Sequence, residues 1–281
     1  KSQGTEVINK LLNPGLYYIK LSGAYGATTL NVSPMYYEIN LTPDLKSIWT
    51  GGPVYVSIST TIDYKEMIAI SKKVYEDDLG NKEIWRKSVN NKLYIPIEGA
   101  KFAAKENGYY SVRIEDKFGN YELATIKISN IDKTPPKITG VKDGKSYKSS
   151  VTIKWSDAES GIEKATLNGK KVKSGVKVTD AGKYTLKVYD KVANMSQVVF
   201  YVDFTAPKVS GVANGKKYDK GVTISFSDDL SGIKKVTIND EEIKLNKKKF
   251  TYKAEGKYVV KVWDNAGNYR KVTFYIEKKK K

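Results

Sequence analysis

Asp132-Lys-Thr-Pro-Pro-Lys-Ile-Thr-Gly-Val-Lys-Asp-Gly-Lys-Ser-Tyr147 returns 71 residues later as Asp203-Phe-Thr-Ala-Pro-Lys-Val-Ser-Gly-Val-Ala-Asn-Gly-Lys-Lys-Tyr218. A fixed period of this kind outranks any element-by-element reading, because each period is one structural unit. Val151-Thr-Ile-Lys-Trp-Ser-Asp157 then matches Val222-Thr-Ile-Ser-Phe-Ser-Asp228, and Ser160-Gly-Ile162 matches Ser231-Gly-Ile233. Gly182-Lys-Tyr-Thr-Leu-Lys-Val-Tyr-Asp190 pairs with Gly256-Lys-Tyr-Val-Val-Lys-Val-Trp-Asp264, now 74 residues on. Three residues were inserted between, as loops and hairpins tolerate.

Working outward, Gly108-Tyr-Tyr-Ser-Val-Arg-Ile-Glu-Asp-Lys-Phe-Gly-Asn120 aligns with Gly182 to Asn194 and marks a longer, diverged copy opened by Pro53-Val-Tyr-Val-Ser-Ile58. An insertion from Tyr75 to Trp85 reads as a protruding hairpin about a Gly-Asn turn. Gly15-Leu-Tyr-Tyr-Ile-Lys-Leu21 mimics the same strand a fourth time. The expected organisation is therefore a partial segment 1–33, a diverged module 34–131 and two repeats, 132–203 and 204–281.

Inside each repeat the apolar residues alternate, as in Val151, Ile153, Trp155 and Tyr184, Leu186, Val188. That is the period of a strand with one buried face. Short strands separated by Gly, Asn, Asp and Pro clusters predict an all-β fold of tandem antiparallel sandwiches. Only Glu66–Lys73 and Gly99–Lys105 have room for a helical turn. Asp180-Ala-Gly-Lys-Tyr184 carries the spacing of a tyrosine corner, in which a Tyr near the start of the penultimate strand bonds back to the chain upstream.

The D-x-T-x-P start, the S-D-x-x-S-G-I turn, the G-K-Y strand and the D-x-x-G-N turn together resemble bacterial immunoglobulin-like repeat domains of Gram-positive surface and secreted proteins. The resemblance is strong over 132–281, moderate over 34–131 and weak over 1–33. It implies a module type used in stalks, adhesins and enzyme appendages, and no single activity.

Composition narrows the chemistry. With 281 residues, 0 Cys and 0 His, disulfide frameworks, Cys/His zinc sites, histidine-based triads and histidine pH switches are excluded. Catalytic and cofactor-binding residues are expected to be none, since no glycine motif opens a helix and no carboxylate pair is set in a recognisable cleft. No apolar stretch approaches the ~18 residues of a membrane helix. The chain, running from Lys1 to a lysine run, reads as a piece of a longer protein. The net charge of +18 is uneven: residues 1–131 carry 16 Lys or Arg against 14 Asp or Glu, and 132–281 carry 33 against 17. This charge suits weak contact with an anionic wall polymer such as teichoic acid. Specific nucleic-acid binding is not expected, because most aromatics alternate inward.

Two candidate sites follow. Asp132, Asp157, Glu159, Asp190 and Asn194 sit in loops that a sandwich of this order gathers at one end, where their oxygens suit calcium. The same residue types also hydrogen-bond tight turns without any ion. Tyr75 and Trp85 of the inserted hairpin are candidates for gripping a host matrix protein or glycan, and Tyr189, Trp263, Tyr201 and Tyr275 lie out of phase with the buried set. An isopeptide crosslink is not expected, because Lys154, Lys187 and Lys261 alternate outward. The expected role is a non-catalytic stalk or spacer of an exported protein, extracellular or at the cell surface. The alternatives are a ligand-binding adhesin and accessory modules of a secreted hydrolase.

Overall fold

In the computed structural model the described residues are 38–75, 81, 83–85, 87, 91–117, 119–245, 247 and 249–277. The expected partial segment 1–33 and the turn at 76–80 lie outside them. Chain contacts divide into two compact units between Lys133 and Thr134.

The first unit contains β1 (Ile39–Pro43), β2 (Val54–Thr60), β3 (Tyr64–Ile70), β4 (Tyr94–Ile95), β5 (Lys101–Ala104), β6 (Gly108–Asp116) and β7 (Tyr121–Ile128). They form two antiparallel sheets, ordered β1-β2-β5 and β4-β3-β6-β7. Val54, Val56, Phe102, Val112 and Ile114 close the core between the sheets. The stretches with room for helical turns are strands instead, 66–70 in β3 and 101–104 in β5. Cross-strand pairing with β6 and β2 supplies partners that a short isolated helix lacks.

The second unit holds two sandwiches in series. The first contains β8 (Lys137–Thr139), β9 (Ser146–Tyr147), β10 (Val151–Ser156), β11 (Ile162–Leu167), β12 (Lys170–Lys171), β13 (Val176–Val178), β14 (Gly182–Asp190) and β15 (Met195–Val202). The second repeats it with β16 (Lys208–Ser210), β17 (Lys217–Tyr218), β18 (Val222–Ser227), β19 (Ile233–Ile238), β20 (Glu241–Glu242), β21 (Phe250–Tyr252), β22 (Gly256–Asp264) and β23 (Tyr269–Ile276). Each pairs a three-stranded sheet, β13-β10-β8 or β16-β18-β21, with a five-stranded one, β12-β11-β14-β15-β9 or β17-β23-β22-β19-β20.

Local pattern and burial agree closely here. Along β10 the residues alternate buried and exposed, so Val151, Ile153 and Trp155 enter the core while Thr152, Lys154 and Ser156 face out. Leu186, Val188 and Phe200 complete one core, and Val260, Val262 and Phe274 the other.

The chain leaves one sheet after β8 or β16 and joins the other as β9 or β17, pairing parallel with β15 or β23. Gly140 and Gly211 make that switch possible. Both have φ +91, and an added Cβ would lie 2.1 Å from the Thr152 carbonyl oxygen or 2.0 Å from that of Thr223. The tyrosine corner forms in all three modules: Tyr110, Tyr184 and Tyr258 each donate to a carbonyl four residues upstream, at 2.6, 2.8 and 3.0 Å.

Candidate functional site

Strand ends carry the candidate site. Asp203 follows β15, Asp228 follows β18 and Asp264 ends β22. One carboxylate oxygen from each lies within 4.8 Å of the others. Asp203 and Asp264 are fully buried, and Asp228 is half-buried. At that spacing each pair of charges repels by roughly 3 kcal/mol at an effective dielectric of about 20. Such carboxylates persist as anions only if donors or cations surround them.

Donors are abundant. Asp203 Oδ1 accepts from the Thr205 amide at 3.0 Å and hydroxyl at 2.6 Å, and Oδ2 accepts from the Ser231 amide at 3.2 Å. Asp228 Oδ1 accepts from the Gly232 amide at 2.7 Å, with longer bonds from Leu230 N and Ser231 Oγ. Asp264 accepts from the amides of Gly267 and Asn268, both at 2.7 Å, and from the Asn268 side chain at 2.8 Å. None of the three has an ion pair among the described residues. Burial pushes the Asp203 carboxyl up, but the hydrogen bonds from Thr205 and Ser231 together outweigh it and hold the group below the usual carboxylate range.

Asp203 is also tied through its backbone. Its amide donates to the Tyr147 carbonyl at 2.8 Å, in the preceding sandwich, and its carbonyl accepts from Asn268 Nδ2 at 2.8 Å, in the following one. With the Ser231 bond, one residue is fastened to both sandwiches. The joint between the two repeats therefore has little freedom to swivel at Asp203.

The expected residues one repeat earlier fall into the same pattern. Asp157 and Asp190 lie at the matching strand ends of the second unit, and Asp132 is a buried residue at the end of the first. Asp157 accepts from the Glu159 and Gly161 amides at 3.1 and 2.8 Å, and Asp190 from the Val192 and Asn194 amides at 3.0 and 2.8 Å. Glu159 donates its backbone amide to Asp157 Oδ1. Asn194 turns its Nδ2 to Asp190 Oδ2 at 2.8 Å, so it acts as a donor to the carboxylate. That donor role was not legible from residue type, since Asn carries both an oxygen and an amide. The Asp203, Asp228, Asp264 set was recoverable from the 71-residue period.

The hairpin candidates separate. Tyr75 is 61% exposed, with the Lys73 ammonium 4.9 Å from its ring centroid. Trp85, expected to face a ligand, is 4% exposed and packs with Ile68, Ile70 and Val74 in a cluster of their own. Ile68 alternates with the core residues Met67 and Ala69, so this cluster covers the outer face of the β3–β6–β7 sheet. Trp85 is spent on packing there.

No protein-family model matches the chain, and no curated protein matches it. Among solved structures it is similar to the I9–I11 tandem from titin, at 14% identity over 87% of this chain and 100% of that one, with a TM-score of 0.31. Murine CEACAM1b is similar at 10% identity over 59% of this chain and 99% of that one, with a TM-score of 0.31. The Bacteroides ovatus glucan-utilization protein SGBP-B, solved with a mixed-linkage heptasaccharide, is similar at 14% identity over 88% of this chain and 72% of that one, with a TM-score of 0.22. The chain's own paired sheets and tyrosine corners make it an all-β tandem of immunoglobulin-like sandwiches.

Proposed function

We propose that this chain is a non-catalytic spacer of an exported bacterial surface protein, one that holds an adhesive or enzymatic part at a set distance. The observation that supports it is the Asp203 joint, where one buried residue is hydrogen-bonded to the sandwich before it and to two loops of the sandwich after it. Each sandwich closes its own core, so the repeats add length without sharing one. Pro207 shortly after Asp203 further restricts the link.

Spin labels at the exposed positions Lys154 and Lys253 test the reading by electron–electron resonance. A narrow distance distribution in the wild-type chain, broadened by Asp203→Ala, is the expected result. A broad distribution in the wild type would remove the spacer reading.

For the same aspartates we propose calcium as an added stiffening ion. Three carboxylates supply part of the 6–8 oxygens such an ion takes, with Asp228 Oδ2 engaged in no hydrogen bond among the described residues, and water completing the shell. Melting the full chain with and without millimolar calcium decides it. An unchanged midpoint removes the ion and leaves the hydrogen-bonded joint.

A further inference from the structure

The same sheet face recurs three times in this chain with three different electrostatic fates. In the first unit it carries Arg113, whose Nη2 pairs with Glu115 at 2.9 Å and whose Nη1 lies 3.7 Å from Glu66. The guanidinium rests 3.7 Å from the Tyr121 ring centroid, and the Trp85 cluster covers the neighbouring positions. That face is neutralised and covered by its own chain.

In the last repeat the equivalent positions are Lys235, Lys257 and Lys261. Lys235 pairs with Glu242 of β20 at 3.0 Å, and Lys261 pairs with Asp240. Two of three cations are again answered from within.

In the repeat between them no carboxylate answers among the described residues. Lys164, Lys183 and Lys187 occupy the same positions, and where the last repeat has Glu241 and Glu242 this one has Lys170 and Lys171 in β12. Register places Lys171 and Lys187 both opposite Thr166, and Lys164 opposite Tyr189, so all four of Lys164, Lys171, Lys183 and Lys187 share one outward face. None makes an ion pair among the described residues, and Glu163, the acid next to Lys164, makes none either.

We propose that this face, the outer side of the five-stranded sheet of β12, β11, β14, β15 and β9, binds a phosphodiester-linked polymer of polyols or sugars. Charge complementarity gives the sign of the occupant. Every cation on the face is Lys, a compact point charge that meets phosphate oxygens without a fixed bidentate geometry and so suits a repeating anion along an extended chain. Lys183 and Lys187 stand roughly 13 Å apart along one strand, an extended track and not a single-ion pocket. Thr185 lies between them and Gln197 stands opposite Lys187 on the neighbouring strand, hydrogen-bonding groups for hydroxyls. Nucleic acid fits less well, because the Tyr189 and Tyr201 rings already lie beneath the ammonium groups of Lys164 and Lys183, at 5.0 and 5.8 Å, and are not free to stack on bases.

The test uses the full chain at low salt and measures affinity by calorimetry for synthetic poly(glycerol phosphate), with neutral dextran and a single-stranded DNA oligomer alongside. Lys164→Gln/Lys183→Gln/Lys187→Gln is expected to weaken poly(glycerol phosphate) binding by about tenfold or more. Lys235→Gln/Lys257→Gln/Lys261→Gln removes the same net charge from the matching face of the last repeat and is expected to stay within about twofold. Equal weakening by both triples, tighter binding of DNA, or no binding by the wild type would each overturn the proposal. Single Lys183→Gln, an exposed change, gives a smaller loss in the same direction and guards against misfolding of the triple.

Discussion

Replacing Asp264 by Ala removes an acceptor that the turn after β22 is built around. Gly267 and Asn268 donate their amides to it at 2.7 Å, Asn268 adds its side chain at 2.8 Å, and Asp264 is fully buried. An orphaned buried donor costs about 1–3 kcal/mol, and two backbone amides lose their carboxylate partner here. Relief of repulsion with Asp203 and Asp228 returns part of that, because a like charge leaves the cluster. The net expectation is a loss of about 3 kcal/mol in the last repeat, or ~12–24 °C in its melting point for a module of this size. Hydrogen exchange on the full chain reads it directly. Amides of β22 and β23 should exchange roughly 100-fold faster through global opening of that repeat, while amides of β6 in the first unit keep their wild-type rates. Acceleration below about threefold would refute the idea that the carboxylate holds the turn together.

Three further outcomes follow from the same structure. Gly140→Ala places a Cβ 2.1 Å from the Thr152 carbonyl at φ +91, and a loss of more than about 2 kcal/mol in chemical denaturation is expected. Tyr184→Phe deletes the hydroxyl that donates to Asp180, so the loss should be about 1 kcal/mol without any change in the core, as checked by near-ultraviolet circular dichroism. The Asp203 carboxyl sits below its unfolded value, so its contribution is present above the ordinary range of ~4 and disappears as pH falls through the lower folded value. Asp203→Asn should accordingly flatten the acid limb of the stability profile, and an unchanged limb would count against those hydrogen bonds.

Much of the site was legible because its parts are local. Asp157 and Asp190 bond to amides two to four residues on, which is turn chemistry readable from the S-D-x-x-S-G-I and D-x-x-G-N strings. Bringing Asp203 beside Asp228 and Asp264 is a long-range event, but the repeat period and sandwich loop order imply it. The inward placement of Trp85 is not legible in the sequence, because an aromatic in an inserted segment carries no sign of which side it will cover. Only the packing of Ile68, Ile70 and Val74 against it decides that.

By itself the amino-acid order determined the all-β class, the repeat, the inward sets of strands such as β10 and the tyrosine corner. All of these depend on residues a few positions apart and on a period of two. Tertiary structure alone decided which lysines stand unanswered. Lys187 and Lys261 occupy the same place in the same string, yet Lys261 pairs with Asp240 while Lys187 makes no ion pair among the described residues, because the fold brings the β19–β20 turn beside β22 and the matching turn one repeat earlier carries Gly169.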